Sequence, residues 1–471
     1  MNLKKTLIFA AFFLALLGYI LYVDNPTEKK VEEAKILFSV HKKEDLSSIN
    51  VKNSKSEFLL INKDGAWKIN QAGFNAIDTG SVTSLETALL GFKPDNTISE
   101  DEVEKDLGIY GLAKPELKVL VNFKGKETEI QFGKKNEFTN KRYARTADSG
   151  KLYLVGEDLY LAANKSSDEI RDKTPLEFND NQLKSIRVTS GKKSFEFVSD
   201  TNGKWTATKP LAVTLSASSI AELTKNIRNL KAVKFYDPKD ENSEITLKSY
   251  GLDSPVGTID LIFKDELKIL PIKVTLGNKK KEDKEFFFSV SEIKSVFALE
   301  ANPGPLLLRD FDNFREKNLF AFSSDDVMEA RFENISKETP SLMLTKTQSP
   351  EGAKWSVDGK EADAVFAEGL IKDLAGLRVE SFPSKNLDFG FATPVLKVVV
   401  KLGSDPEKLR TLVVGKKWQE GKVTKGYFAG VGDLIEPFVI SEATLKRITP
   451  KKESLIQVSK VSDQEPLDSK Q

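Results

Sequence analysis

General acid–base and nucleophilic chemistry near neutral pH draws chiefly on histidine, cysteine and paired carboxylates. This chain of 471 residues has one histidine, His41, and no cysteine. A Ser-His-Asp relay would have to use His41. It stands in SVHKKEDL, a polar, lysine-rich stretch away from any G-x-S-x-G elbow, and reads as a surface histidine. The lack of cysteine removes disulfides, thiolate nucleophiles, zinc–thiolate sites, iron–sulfur clusters and a lipidated N-terminal cysteine. One histidine alone leaves almost no means of building a transition-metal site. Asp and Glu number 70, but their pairs fall mostly in turns, and no D-x-D-x-D-G calcium loop occurs. The expected site is therefore empty in every class: no catalytic, cofactor-binding or metal-ligating residue stands out.

Three lysine-rich turns are the remaining chemical candidates: FGKKNEF, LGNKKKED and VGKKWQE, with Gly133, Gly277 and Gly415. A phosphate loop needs G-x-x-x-x-G-K-[ST] before a helix, and none of them matches. They read as solvated hairpin tips. Basic and acidic residues number 71 and 70, so no global field draws nucleic acid to the chain.

What must position any site is a repeat. Gly111, Gly251 and Gly390 lie 140 and 139 residues apart. Around them stand Tyr110, Leu112 and Pro115; Tyr250, Leu252 and Pro255; and Phe389, Phe391 and Pro394. Upstream come Trp67, Trp205 and Trp355, each just after a glycine. Downstream come the lysine turns, then Tyr143, Phe287 and Tyr427, then Tyr153, Phe297 and Phe438. IRDKTPLEF aligns with FREKNLFAF, which places Arg171 against Arg315. The period exceeds that of solenoid repeats, and each copy is domain-sized. The reading is three tandem domains, 34–176, 177–320 and 321–457, with a 26–33 linker before them and a polar tail, 458–471, after them.

Each copy predicts the same elements. SSINVKNSKSEFLLINKDGAWKIN reads as three strands, with a hairpin turn at Asp64-Gly65. A helix follows, with Thr79 as its cap and Val82, Leu85, Leu89 and Phe92 as its apolar stripe. Ile220, Leu223, Ile227 and Leu230 repeat that spacing, and Phe366, Leu370, Leu374 and Leu377 recur at steps of four, four and three. EDEVEKDLG predicts a short helix, with Gly111 in a left-handed or tight conformation after it. In LKVLVNF, Leu117, Val119, Val121 and Phe123 alternate as a half-buried strand, which turns at Lys124-Gly125 and returns. RYART and KLYLV form the next hairpin, and GEDLYLAANKSSDEIRD closes the copy as a helix. The aromatic–Gly–apolar–x–x–Pro motif and the tryptophans read as packing residues rather than a ligand platform. The fold class is α+β: three mainly antiparallel sheet domains with packed helices.

Before the repeats, Lys4 and Lys5 precede an uncharged run from Thr6 to Val23. Its 18 residues would span about 27 Å as a helix, enough for a hydrocarbon core. Tyr19 and Tyr22 stand near its far end, and no A-x-A-like site follows. Residues 1–25 therefore predict an uncleaved anchor with its N-terminus in the cytoplasm and the bulk of the chain outside.

AWKI, YGLAKP, LKVLVNF, FGKK, RYAR and LYLV, in that order, resemble the bacterial domain-of-unknown-function family 4340. The later copies depart from the pattern: FFFSV and GYFAG replace RYAR, so Arg145 occurs once only. The resemblance implies a lysine-flanked anchor and an extracytoplasmic accessory role beside ABC-type export or gliding-motility-like transport components. It brings no catalytic residue. The first expectation is thus a non-enzymatic, membrane-anchored scaffold with a protein partner in an envelope or transporter complex. An envelope carbohydrate- or peptidoglycan-active hydrolase using Asp/Glu pairs, and a lipid or small-ligand binder, are the alternatives.

Overall fold

The computed structural model describes residues 37–38, 41–98, 103–147, 151–240, 242–278, 285–334, 341–349, 352–383, 387–403, 408–420, 423–432 and 436–456. The expected anchor and the tail lie outside the described residues. No helix among the described residues is long and apolar enough to cross a membrane.

The first repeat supplies β1 (Leu46–Asn53), β2 (Glu57–Lys63), β3 (Ala66–Ile69), β4 (Pro94–Ile98), β5 (Leu117–Phe123), β6 (Lys126–Lys135), β7 (Arg142–Thr146) and β8 (Leu152–Val155). They are ordered β3-β2-β1-β5-β6-β7-β8-β4. The second supplies β9 (Leu183–Ser190), β10 (Lys193–Ser199), β11 (Trp205–Lys209), β12 (Val213–Thr214), β13 (Lys234–Tyr236), β14 (Gly257–Phe263), β15 (Ile272–Leu276), β16 (Phe286–Val290) and β17 (Val296–Leu299). The third supplies β18 (Val327–Glu333), β19 (Ser341–Ser349), β20 (Gly352–Val357), β21 (Lys360–Glu361), β22 (Leu396–Leu402), β23 (Leu409–Glu420), β24 (Val423–Val431) and β25 (Phe438–Ile440). Their order is β21-β20-β19-β18-β22-β23-β24-β25.

The chain divides into two compact units, Met1–Ser194 with Thr224–Leu308 and Phe195–Leu223 with Arg309–Gln471. The division falls within β10, so it cuts the second repeat. In the first unit that repeat's strands run β9-β14-β15-β16-β17-β13, matching β1-β5-β6-β7-β8-β4. In the second unit they run β12-β11-β10, matching β21-β20-β19. Neighbouring strands pair antiparallel, as tight turns require.

The alternation read from LKVLVNF holds. Leu117, Val119, Val121 and Phe123 are buried, and the residues between them are half-buried. The corresponding β14 has the same pattern. Each such side chain contributes about 1.5–3 kcal/mol by leaving water.

Helices α1 (Thr79–Leu90), α2 (Asp158–Ala163) and α3 (Ser167–Ile170) belong to the first repeat, and α4 (Ala217–Arg228) and α5 (Gly304–Leu307) to the second. The third has α6 (Ala364–Ala375), α7 (Glu442–Ile448) and α8 (Lys452–Leu455). The stripes expected on α1 and α4 are buried in full. On α6 the expectation fails at Phe366, which is 57% exposed. It lies in the first turn on the outer side, and Ala367 and Ile371 fill the inner face with Leu370 and Leu374.

Three further expectations need correction, and one strand was not foreseen. The cap of α1 is Asp78, not Thr79: its carboxylate accepts from the Ser81 amide at 2.6 Å. The closing helix breaks into α2 and α3, because Ser166 and Glu169 form a capping box that starts a new helix. The described turn before Gly111 is a single 3-10 turn, Leu107–Tyr110. Finally, β4 is a strand that sequence alternation did not reveal: its burial runs buried, exposed, exposed, exposed, half-buried, and it lies at the sheet edge.

The Asp78 cap gives a pH prediction. Hydrogen bonds from Ser81 hold its carboxyl below the usual aspartate value. A lowered folded pKa adds stability above the ordinary aspartate range, and that stability is lost as pH falls through the folded value. Asp78→Ala is expected to cost about 1 kcal/mol at neutral pH. In urea melts the gap from wild type should shrink at pH below about 3.9.

Candidate functional site at the repeat junctions

The recurring glycine corner is the feature the sequence marks most strongly. Gly111, Gly251 and Gly390 are left-handed, at φ of 70°, 67° and 72°. Each lies against the second glycine of its own repeat. A Cβ on Gly133 would stand 2.1 Å from the Tyr110 carbonyl oxygen, one on Gly277 2.5 Å from that of Tyr250, and one on Gly415 1.9 Å from that of Phe389. The Lys416 amide donates to the Phe389 carbonyl at 3.0 Å, and the Asn278 amide to the Gly251 carbonyl at 3.0 Å. Two glycines 22 to 26 residues apart therefore form one backbone crossing. This corrects the reading of the lysine turns: Gly133 with Lys134 and Lys135 lies inside β6, and Gly415 with Lys416 and Lys417 inside β23. In the second repeat the lysines after Asn278 lie outside the described residues.

The aromatics of the corner build small apolar clusters. Tyr110, Leu112 and Leu152 form one, with Tyr143 against them. Leu252, Phe287, Val296 and Ala298 form its counterpart, with Tyr250 against them. Trp205 and Trp355 are buried. Trp67 is half-buried and donates to Glu86 at 2.9 Å, and Lys43 pairs with the same carboxylate at 3.0 Å. His41 is not a free surface residue: it stacks on Phe123 at 4.3 Å. In the second repeat Phe178 packs edge-on against Phe263 at the matching place, so His41 serves as a flat packing ring.

The most elaborate polar constellation lies where one repeat meets the next. The end of the first repeat bridges Ile77 to Arg171, the end of the second bridges Leu215 to Arg315, and the end of the third bridges Ala362 to Ile456. At the same three places Asp78, Ser216 and Asp363 donate their amides to Ile170, Phe314 and Leu455 at 2.9, 2.9 and 2.8 Å. These three residues stand just before α1, α4 and α6.

From this strand end Arg171 reaches into the second repeat. It is 1% exposed. Its guanidinium forks onto Asp237 at 2.6 and 2.9 Å, donates to the Phe74 carbonyl, and lies 4.0 Å from the centre of the Phe235 ring. Asp237 also accepts from Ser295 Oγ at 2.6 Å, and Ser295 Oγ accepts from the Phe74 amide at 2.6 Å. Planar bidentate pairing and ring stacking are both properties of arginine that lysine lacks. Burial raises the pKa of nearby Asp168, and the Asp237 charge adds to the rise while Arg171 opposes it.

Arg315 makes the corresponding reach into the third repeat. It is 6% exposed, stacks 3.3 Å from the Phe382 ring centre, pairs with Asp312 at 3.3 Å and donates to Glu436. A backbone bond accompanies each arginine: Ala232 donates to the Lys173 carbonyl at 2.8 Å, and Val379 to the Lys317 carbonyl at 2.9 Å.

The polar groups of this arrangement hold elements of the fold in place. Ser295 is 1% exposed, and its hydroxyl is spent on Asp237 and Phe74. No histidine stands by to activate it. The Glu116 and Glu157 carboxylates both serve Arg142, at 2.9 and 3.1 Å. Arg142 also donates to the Gly133 carbonyl at 2.6 Å and lies 3.5 Å from the Tyr160 ring centre, so it braces the glycine corner. Among the described residues no group of three or more His, Asp or Glu side chains is placed to hold a metal ion. A groove of about 660 Å³ runs between α1 and α2, lined largely by Thr83, Ser84, Thr87 and Leu161. Its Lys141 and Asp95 pair with each other at 3.0 Å.

The profile of the family described as Domain of unknown function (DUF4340) matches residues 67–249 and 237–388, more than half of the chain. The chain belongs to this family. No curated protein and no solved structure matches it. The DUF4340 match takes in Arg171, Asp237, Arg315 and Phe382 and stops before Glu436 and Ile456. Aligning IRDKTPLEF with FREKNLFAF paired the two arginines, but their acceptors were not legible. Asp237 and Glu436 come from different positions in their repeats, so no spacing connects them.

Proposed function

We propose that the chain is a membrane-anchored, extracytoplasmic accessory protein that works by binding, not by catalysis. Its modules are residues 34–176, 177–320 and 321–457, held outside the cytoplasmic membrane by residues 1–25. They serve a protein partner in an envelope complex of the ABC-type export or gliding-motility-like kind.

The observation that carries the reading is where the polar side chains of the junctions and corners are spent. The buried arginines, Ser295 and the Glu116–Glu157 pair all hold elements of the fold together. One sheet-and-helix plan used three times also favours binding, because linked modules raise the effective concentration of each contact.

Location is tested by membrane fractionation followed by protease treatment from the outer side. The expected result is a chain that stays with membranes in alkaline carbonate and is cut from outside only. A chain released by carbonate, or protected until the membrane is breached, contradicts the anchor.

A further inference from the structure

The three repeats differ at the positions that form the arginine junction, and the differences follow their order. The donating end carries arginine at 171 and 315 and isoleucine at 456, although all three positions make the same backbone bridge. The receiving edge is the strand after the long helix. There Phe235 faces Phe297 across the ladder, and Lys234 and Ser381 pair with Ala298 and Val439. In the first repeat the same edge is β4, where Asn96 faces Leu154 and Thr97 faces Tyr153.

The ladder therefore puts Thr97 where the second repeat has Phe235 and the third has Phe382. Counting from the stripe residues Phe92, Leu230 and Leu377 puts Pro94 where Ala232 and Val379 donate their amides to the preceding repeat, and a bulge before Asn96 sets Pro94 opposite Val155. Proline has no amide hydrogen to give. Thr97 is exposed and offers no ring to a guanidinium. Among the described residues, repeat one thus lacks the ring and the amide of the receiving edge, and repeat three lacks the donating arginine.

We infer that the arginine junction is a directional head-to-tail interface, used twice within the chain and closed by Pro94 and Thr97 at one end and Ile456 at the other. A head-to-tail surface left open at both ends would continue from copy to copy into rings or filaments. Closing both ends confines the interface to neighbours in one chain.

Hydrogen exchange and sedimentation on the full chain test it. Arg171→Lys keeps the charge and loses the fork and the stack, and Phe235→Leu removes the ring from the other side. Each should raise exchange at the Ala232 amide about tenfold or more and leave the Val119 amide unchanged, because local opening exposes only the bonds it breaks. Arg315→Lys and Phe382→Leu should do the same at Val379, against Val398. Ile456→Arg should leave the concentration dependence of sedimentation as in wild type, since no receiving edge is open. Unchanged protection at Ala232 and Val379 overturns the coupling role, as does an equal rise in the sheet centres. Self-association of Ile456→Arg overturns the closure of the first repeat.

Discussion

Arg171→Met is expected to destabilise the first unit by about 3–5 kcal/mol, because it strands the Asp237 carboxylate in a site built around a cation. The loss has three parts: the bidentate pair, the bond to the Phe74 carbonyl and the stack on Phe235. Arg171→Lys should fall between wild type and Arg171→Met, since an ammonium cannot satisfy both carboxylate oxygens and the ring at once. Adding Asp237→Asn to Arg171→Met should recover part of the loss by removing the orphaned charge. Urea unfolding followed by fluorescence reads all three. A double variant as damaged as the sum of its single changes would mean that the two side chains are not coupled.

The second large effect belongs to the glycine crossing. Gly415→Ala and Gly133→Ala place a methyl group 1.9 and 2.1 Å from a carbonyl oxygen of the facing turn. Backbone has to move, and a cost of about 2–4 kcal/mol follows for each. Gly277→Ala, at 2.5 Å, should cost less. Gly369→Ala is the internal control: it lies in α6, and its added methyl meets nothing within 4 Å. Helix propensity predicts a gain of about 0.5–1 kcal/mol there. The contrast between the loss at Gly415 and the gain at Gly369 is measured by the shift in urea midpoint.

These two features also mark what could be read without coordinates. Local patterns carried well. The alternation of Leu117, Val119, Val121 and Phe123 and the stripe of Val82, Leu85 and Leu89 depend on neighbours within one element, and both are buried. The left-handed corner glycines were legible for the same reason. The cap of α1 and the break between α2 and α3 failed locally, but the failures that matter most for the site are long-range. The lysine turns looked like hairpin tips because glycine followed by lysine is good turn chemistry. Gly133 and Gly415 are small for a different reason, the carbonyl that crosses them from more than twenty residues away. Phe366 fitted a helical period, but the inward place is taken by Ala367, which stands three residues before Leu370 as Val82 does before Leu85. The arginine junctions were visible as an alignment of two residues. What gives them meaning is Phe235 and Phe382 on the next repeat, and the missing ring at Thr97.

The repeats bear on function through economy of chemistry. Where a catalytic site would be expected to hold reserved acids and bases, the polar groups of these junctions and corners are committed to each other. That pattern supports the proposed binding role, in which several modules act at a time.

The most direct test of that claim is capture of the tagged full chain from detergent-solubilised membranes, with the bound fraction quantified against the bait. The account predicts a membrane or envelope protein recovered at a fixed stoichiometry. Recovery of the chain alone, together with turnover of an envelope polymer by the purified protein, would contradict it.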